Sequence, residues 1–216
     1  MVLKLYGSPM STCTKRVAVV LHEKNVPFEM HPIDFSKGEH KSPEYKAKQP
    51  FGQVPYLDDD GFIVYESRAI GRYIAAKYAS QGTPLVPASS DLKATALFEQ
   101  AASVEQANFD PPASGIAAER VFKKFHGQET DEARVAEYKT KLEGKLDAYE
   151  AILSKQAYAA GSEVSLVDLF HLPYGTMTKA LEPEVYASRP HVAKWFESLE
   201  SRPSWQAVKD GIKSSA

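Results

Sequence analysis

Polar and apolar positions alternate in the first third of the chain and recur at helical spacing in the remainder. Val2 to Tyr6 is a short strand-like run closed by Gly7-Ser8-Pro9. Cys13, Val17, Val20 and Leu21 then fall on one helix face, and Lys24-Asn25 ends that pattern. Phe28-Glu29-Met30 alternates as a second strand, so the opening reads as a parallel βαβ unit. Ser36 to Pro50 is polar and rich in Lys, which predicts a loop with a short turn of helix. Val54-Pro55-Tyr56-Leu57 and Phe62-Ile63-Val64-Tyr65 flank Asp58-Asp59-Asp60-Gly61, a hairpin pattern carried mainly by its Asp-Gly turn. Ser67 is expected to cap a helix with apolar positions at Ile70, Tyr73, Ile74 and Tyr78. The order is βαβ followed by ββα.

Breakers concentrate between Ser80 and Ser90, and beyond them strand patterns almost vanish. Asp91 to Gln106 is helical in pattern, with Asn108-Phe109-Asp110-Pro111-Pro112 expected to interrupt it. Glu132 to Leu153 reads as one long helix with Val135, Tyr138, Leu142, Leu146, Tyr149 and Leu153 on one face. Ser165-Leu166-Val167-Asp168 resembles a capping box opening an apolar helix through Leu172, and Pro190 to Leu199 marks another helix. The predicted fold class is α/β plus all-α: an α/β domain over 1–82, a linker over 83–90, and an all-helical domain over 91–216.

Charge narrows the possible partners. Among 216 residues, 26 Lys and Arg stand against 28 Asp and Glu, so no strong field favours nucleic acid or an anionic membrane. No basic stripe with interleaved aromatics is present, and no run is long and apolar enough to span a bilayer. No signal peptide is visible, so the cytoplasm is the expected location. Cys13 is the single cysteine, which rules out an internal disulfide framework and a multi-cysteine zinc site. The histidines show no metal-ligand spacing, so no metal is expected.

Four segments of the first domain carry the candidate chemistry: Gly7-Ser8-Pro9-Met10-Ser11-Thr12, Gly38-Glu39-His40-Lys41, Pro50-Phe51-Gly52-Gln53-Val54-Pro55 and Glu66-Ser67-Arg68-Ala69-Ile70. In this order they resemble the glutathione transferase family, specifically its phi class. In the second domain the resemblance rests on Gly161-Ser162-Glu163, Asp168-Leu169 and His171-Leu172-Pro173. It implies a thioredoxin-like domain followed by a helical one, and conjugation of the glutathione thiol to small hydrophobic electrophiles, with peroxide reduction as a companion activity. Glutathione would be a co-substrate, and no cofactor is implied.

Ser11 and Thr12 follow a strand and open a helix, whose N-terminus offers unpaired N–H groups and the positive end of its dipole. The resemblance implies that Ser11 donates a hydrogen bond to the glutathione thiolate; spacing alone leaves Thr12 as a competing donor. It further assigns the Val54 backbone, beside a cis Pro55, to the cysteinyl unit, with Gln53 adding a polar contact. Glu66 is assigned to the free amine, Ser67 to the γ-glutamyl carboxylate, and His40 and Lys41 to the glycine carboxylate. Met10, Phe35, Phe109 and Ile116 are the expected walls of the co-substrate pocket. Phe51 resembles an aromatic key inserted into a partner subunit, which implies a homodimer.

Plainer roles compete with these. Ser11 and Ser67 are good helix caps in their own right, and Glu66 can be a solvated charge. Cys13, two residues past Ser11, reads as a buried small hydrophobe; were it a nucleophile, the protein would be a thioltransferase. Asp168 is expected to be structural, through the Ser165 capping box. A non-catalytic carrier of hydrophobic molecules and a regulatory module are the rival functions.

Overall fold

The chain forms two compact units in the computed structural model, which describes residues 2–216. The first unit is built on a four-stranded sheet of order β2-β1-β3-β4. In β1 (Leu3–Gly7) the alternation does what period 2 requires: Leu3 and Leu5 are buried and Lys4 is exposed. α1 (Thr12–Glu23) follows, with Ser11 at its N-cap and Val17, Val20 and Leu21 buried. β2 (Phe28–Pro32) pairs parallel with β1, Leu3 opposite Phe28, which is the predicted βαβ unit. The polar loop holds a tight 3-10 turn, Glu39–Lys41, and the short helix α2 (Pro43–Lys46). β3 (Tyr56–Asp59) and β4 (Phe62–Tyr65) form the expected hairpin, turning through Asp60 and Gly61, both at positive φ. α3 (Ser67–Lys77) packs against α1 and closes a thioredoxin-like βαβ-ββα arrangement.

Two local expectations differ from what forms. β3 begins at Tyr56, so Val54 and Pro55 lie outside the sheet ladder, joined by a cis peptide bond. Ser67 is the first residue of α3 rather than its cap. The N-cap is Glu66, at φ 69°, and Ser67 Oγ instead accepts a hydrogen bond from Arg16.

The first unit runs to Val86 and also takes in Arg202–Ala216, which the sequence pattern placed with the helical domain. The cause is long-range pairing. Glu23, buried at the end of α1, accepts from Arg202 Nε at 2.6 Å and Nη2 at 2.8 Å, and from the Ser204 and Thr83 hydroxyls. Burial alone would raise the Glu23 carboxyl; these bonds outweigh it and hold the group below its ordinary range. Further along, Ile212 N donates to Pro9 O at 3.2 Å and Ser215 N to Phe28 O at 3.0 Å.

β1 and α1 approach closely at Gly7. A methyl there would meet Thr14 Oγ1 at 2.6 Å and Pro55 Cβ at 3.2 Å. Gly7→Ala is therefore expected to cost about 1–3 kcal/mol through overpacking and to lower Tm by several degrees in calorimetry. An unchanged Tm would mean that the strand and helix are less tightly apposed than described.

The second unit, Pro87–Ser201, is helical. α4 (Leu92–Val104) continues through a wide π turn, Glu105–Phe109, into α5 (Asp110–Ala117), a second π turn, Ala118–Phe122, and the short α6 (Lys123–Phe125). The expected break at Asn108–Pro112 does not occur: the helix runs on through Pro111 and Pro112, the π turn lies immediately before them, and Asp110 N still donates to Glu105 O. α7 (Glu132–Leu153) has the predicted limits, opened by Asp131, which accepts from Ala133 N and Arg134 N. α8 (Leu166–Leu181) runs beyond Leu172 with Pro173 inside it. α9 (Pro183–Ala187) and α10 (Pro190–Glu200) complete the unit. Its core is aromatic. Phe109 lies 4.6 Å from the His171 ring, His171 lies 4.9 Å from Trp195, and Trp195 lies 4.9 Å from Phe196.

Candidate functional site

Sheet register gathers the four sequence segments at one end of the first unit. Tyr6 pairs with Tyr56, and Tyr56 with Tyr65. The residues that follow β1, precede β3 and follow β4 therefore leave the sheet at the same end. These are Ser11, Val54-Pro55 and Glu66-Ser67. β2 ends there too, Gly7 opposite Pro32, and releases the loop that carries His40 and Lys41.

Ser11 Oγ accepts from Thr14 N at 3.4 Å, so the serine does cap α1. The cap uses an oxygen lone pair and leaves the hydroxyl hydrogen for another acceptor. Ser11 is partly exposed, whereas Thr12 is 6% exposed. Cys13 is half-buried rather than buried, and Arg16 Nη1 lies 3.6 Å from its sulfur. Tyr6 is stacked between His31 and Tyr56 in the sheet, 4.5 and 4.6 Å away. Burial and the neighbouring Tyr6 push the Tyr56 phenol up to about 12.

Val54 takes no part in the strand ladder, which begins at Tyr56. The preceding turn is braced on both sides: Gln53 N donates to Gln49 Oε1 at 3.0 Å, and Tyr45 OH donates to Gln53 O at 2.7 Å. Lys41 Nζ donates to Gly52 O at 2.8 Å and ties in the loop. Gly52 sits at φ 61°, with His40 O only 2.8 Å from where a Cβ would stand, so only glycine fits. His40 Nδ1 is buried without a hydrogen-bond partner. Burial and the Lys41 charge hold the His40 imidazole below its ordinary range, so it is neutral at pH 7.

Glu66 is exposed on a positive-φ backbone, a conformation that costs a non-glycine residue about 1–3 kcal/mol and persists where its surroundings impose it. Behind it Arg16, 1% exposed, donates to Ser67 Oγ at 3.0 Å. Motif reading missed Arg16. The signal was there, since Arg16 lies three residues after Cys13 and four before Val20, a charge inside the apolar stripe of α1.

The expected apolar wall divides. Met10 and Phe35 are exposed in the first unit, 62% and 48%, and the Phe35 ring stands edge-on to His40 at 4.7 Å. Phe109 and Ile116 are instead buried core residues of the helical unit, Phe109 among Tyr149, His171 and Phe196. They present no surface to a ligand. Phe51 is 65% exposed, touching the Tyr65 ring edge-on at 6.2 Å. Among the described residues no cluster of three metal-ligating side chains occurs, and no helix is long and apolar enough to cross a membrane.

The arrangement presents one helix-capping hydroxyl, a backbone stretch outside the strand ladder at Val54, a second helix N-terminus and a lysine at one sheet end. That combination suits an extended peptide bearing carboxylates and a thiol. Residues 1–76 match the family model for the glutathione S-transferase N-terminal domain, and residues 109–203 match that for the C-terminal domain. The chain is 53% identical over 196 residues to glutathione S-transferase PM239X14 of Arabidopsis thaliana, covering 90% of this chain and 89% of that protein. It is 47% identical over 207 residues to glutathione S-transferase hmp2 of Hypomyces subiculosus, covering 95% and 96%. Among solved structures it is similar to glutathione transferase F7 of Populus trichocarpa, with TM-score 0.94 and 42% identity over 98% of this chain and 100% of that one. Glutathione S-transferase I from maize, solved in complex with an atrazine glutathione conjugate, aligns with TM-score 0.90 and 36% identity over 97% of each chain.

Proposed function

Because the chain belongs to the glutathione S-transferase family and to its phi class, we propose that Ser11 is the residue through which it activates the glutathione thiol for conjugation. The observation that carries this reading is the partly exposed Ser11 hydroxyl, capping α1 at the end of the sheet where Val54 and Ser67 also lie. With its lone pair engaged by Thr14 N, the hydroxyl donates its hydrogen to the sulfur of glutathione. The α1 dipole favours the same negative charge. The thiol proton leaves to solvent, and the thiolate attacks an electrophilic carbon. With an aryl halide a C–S bond forms and halide departs; with a peroxide the same sulfur attacks oxygen, the O–O bond breaks to release the alcohol, and the glutathione sulfenic acid condenses with a second glutathione to give glutathione disulfide and water. Ser11 forms no covalent bond.

The remaining contacts follow the charges of the peptide. The Val54 N–H and C=O hold the cysteinyl backbone, and Gln53 stands beside them. Glu66 faces the free amine, and Ser67 with the start of α3 faces the γ-glutamyl carboxylate. Lys41 supplies charge to the glycine carboxylate, with His40 as a neutral ring donor. Met10 and Phe35 offer apolar surface to the co-substrate. Greater exposure favours Ser11 over Thr12 as donor, and the position of Cys13 inside the helix, against Arg16, supports a packing role rather than a thioltransferase nucleophile. Glutathione is the co-substrate of this scheme, no cofactor enters it, and the lone cysteine suits a reducing, cytoplasmic setting. A spectrophotometric assay with glutathione and 1-chloro-2,4-dinitrobenzene tests the reading. Saturable conjugation is expected, whereas ligand binding without turnover would make the protein a carrier.

Phe51 is proposed as the key of a homodimer. A ring this exposed favours burial in a second copy. The helical unit has a cleft of about 230 Å³, lined by Leu97, Val104, Tyr149 and Ile152 among others, and this is the proposed receiver of the ring from a second copy. Phe51→Ser is expected to shift the sedimentation mass from two chains towards one. A variant that stays fully dimeric at micromolar concentration would remove Phe51 from this role.

A further inference from the structure

We propose that Arg16 is a positioning residue for glutathione, acting through Ser67 on the γ-glutamyl carboxylate; this rests on the binding reading above. A guanidinium carries only donors, so in the 3.0 Å contact Ser67 Oγ must accept. The hydroxyl hydrogen is thereby turned away from Arg16 and made available as a donor. Ser67 does not use its oxygen to cap α3, since it is the first helical residue rather than the N-cap. It is 6% exposed at the start of an eleven-residue helix, whose first N–H groups face the same way. A hydroxyl pinned from behind by a cation and standing at a positive helix end is a donor preset for an anion.

Burial sharpens the assignment. Arg16 is 1% exposed inside α1, next to the apolar run Val17–Leu21. A charge kept there is costly unless it is hydrogen-bonded, and Arg16 donates to Ser67 Oγ at 3.0 Å and, more weakly, to Cys13 Sγ at 3.6 Å. The planar fork lets one side chain of α1 hold the first residue of α3, which the point charge of lysine does less well. Arg16 thus links the helix that presents Ser11 to the helix that presents Ser67, and it sets the direction of the Ser67 O–H bond. It touches no reacting atom.

The test compares two ligands, glutathione and 4-aminobutyryl-cysteinyl-glycine, which lacks only the γ-glutamyl α-carboxylate. Calorimetric Kd values are measured for wild type, Arg16→Met and Arg16→Lys, with Arg16→Lys standing in if Arg16→Met does not fold. Wild type is expected to prefer glutathione over the analogue. Arg16→Met is expected to lose about tenfold for glutathione and almost nothing for the analogue, which is about 1.4 kcal/mol of carboxylate-specific binding. Arg16→Lys is expected to lose about threefold, again for glutathione alone. In steady state the loss should appear in KM for glutathione far more than in kcat. Equal losses for both ligands, or no loss, would overturn the Arg16 assignment and leave the binding reading standing. A wild type that binds glutathione and the analogue equally would overturn both.

Discussion

Ser11→Ala is expected to lower kcat for conjugation by about 10- to 25-fold at neutral pH, as the thiolate share falls back towards a few per cent, while leaving glutathione Kd within about threefold of wild type. The separation follows from the geometry. In the proposed binding mode glutathione is held at Val54, Glu66, Ser67 and the His40–Lys41 loop, and none of these contacts passes through Ser11. What alanine removes is one donor aimed at the sulfur. A free thiol has a pKa near ~8.5, so only a few per cent is thiolate at neutral pH. Lowering the pKa by two units makes most of it thiolate and requires about 2.7 kcal/mol of differential stabilisation. The α1 dipole survives the substitution, so part of the activation survives too. Loss of the cap adds about 1 kcal/mol of instability, which a melting curve measures separately. Thr12→Ala, at a buried neighbour, is expected to reduce kcat by less than about threefold. A collapse of kcat in that variant with Ser11→Ala near wild type would transfer the donor role to Thr12.

The second large effect concerns stability. Asp168 is fully buried and accepts four hydrogen bonds: from Ser165 N at 2.8 Å, Ser165 Oγ at 2.9 Å, Ala159 N at 2.8 Å and Trp195 Nε1 at 2.9 Å. One carboxylate therefore caps α8, pins the Tyr158–Gly161 turn and holds the indole of α10. Asp168→Ala leaves several of these donors buried without an acceptor, at about 1–3 kcal/mol for each that water does not reach. A total of roughly 3–5 kcal/mol is expected, or a fall in Tm on the order of 10 °C by calorimetry. Asp168→Asn keeps one acceptor oxygen and is expected to fall between alanine and wild type. A Tm for Asp168→Ala within 2 °C of wild type would mean that the network does not stabilise the helical unit.

Strong local patterns were legible in the sequence. Alternation around Leu3 and Leu5, the Asp-Gly turn at Asp60-Gly61, the stripe of α7 and the Ser165–Asp168 box all appear in the structure as read, because each depends on residues close in sequence. The failures have one cause in common, which is dependence on distant partners. Arg202–Ala216 has no local feature that assigns it to the first unit; the buried Glu23 does that from 179 positions away. Ser67 has the side chain of a cap, yet Glu66 takes the cap while Arg16 claims the serine oxygen. Phe109 and Ile116 have the right chemistry for a ligand wall, but apolar character does not distinguish a surface from a core, and the aromatic cluster around His171 holds Phe109 inside. Within the site, the hydroxyls, the Val54-Pro55 turn and the lysine loop were readable from motifs. The buried cation behind them was not, because motif reading stops at groups that would touch the ligand.

The central claim, that the Ser11 hydroxyl stabilises the thiolate of bound glutathione, is tested most directly by ultraviolet titration of the glutathione complex. Thiolate absorbance is followed against pH for wild type and Ser11→Ala, each saturated with glutathione. The wild-type midpoint is expected about two units below that of free glutathione, with the alanine variant returning most of the way to the free value. A wild-type complex that titrates like free glutathione, or an alanine variant that keeps the full shift, would contradict the claim.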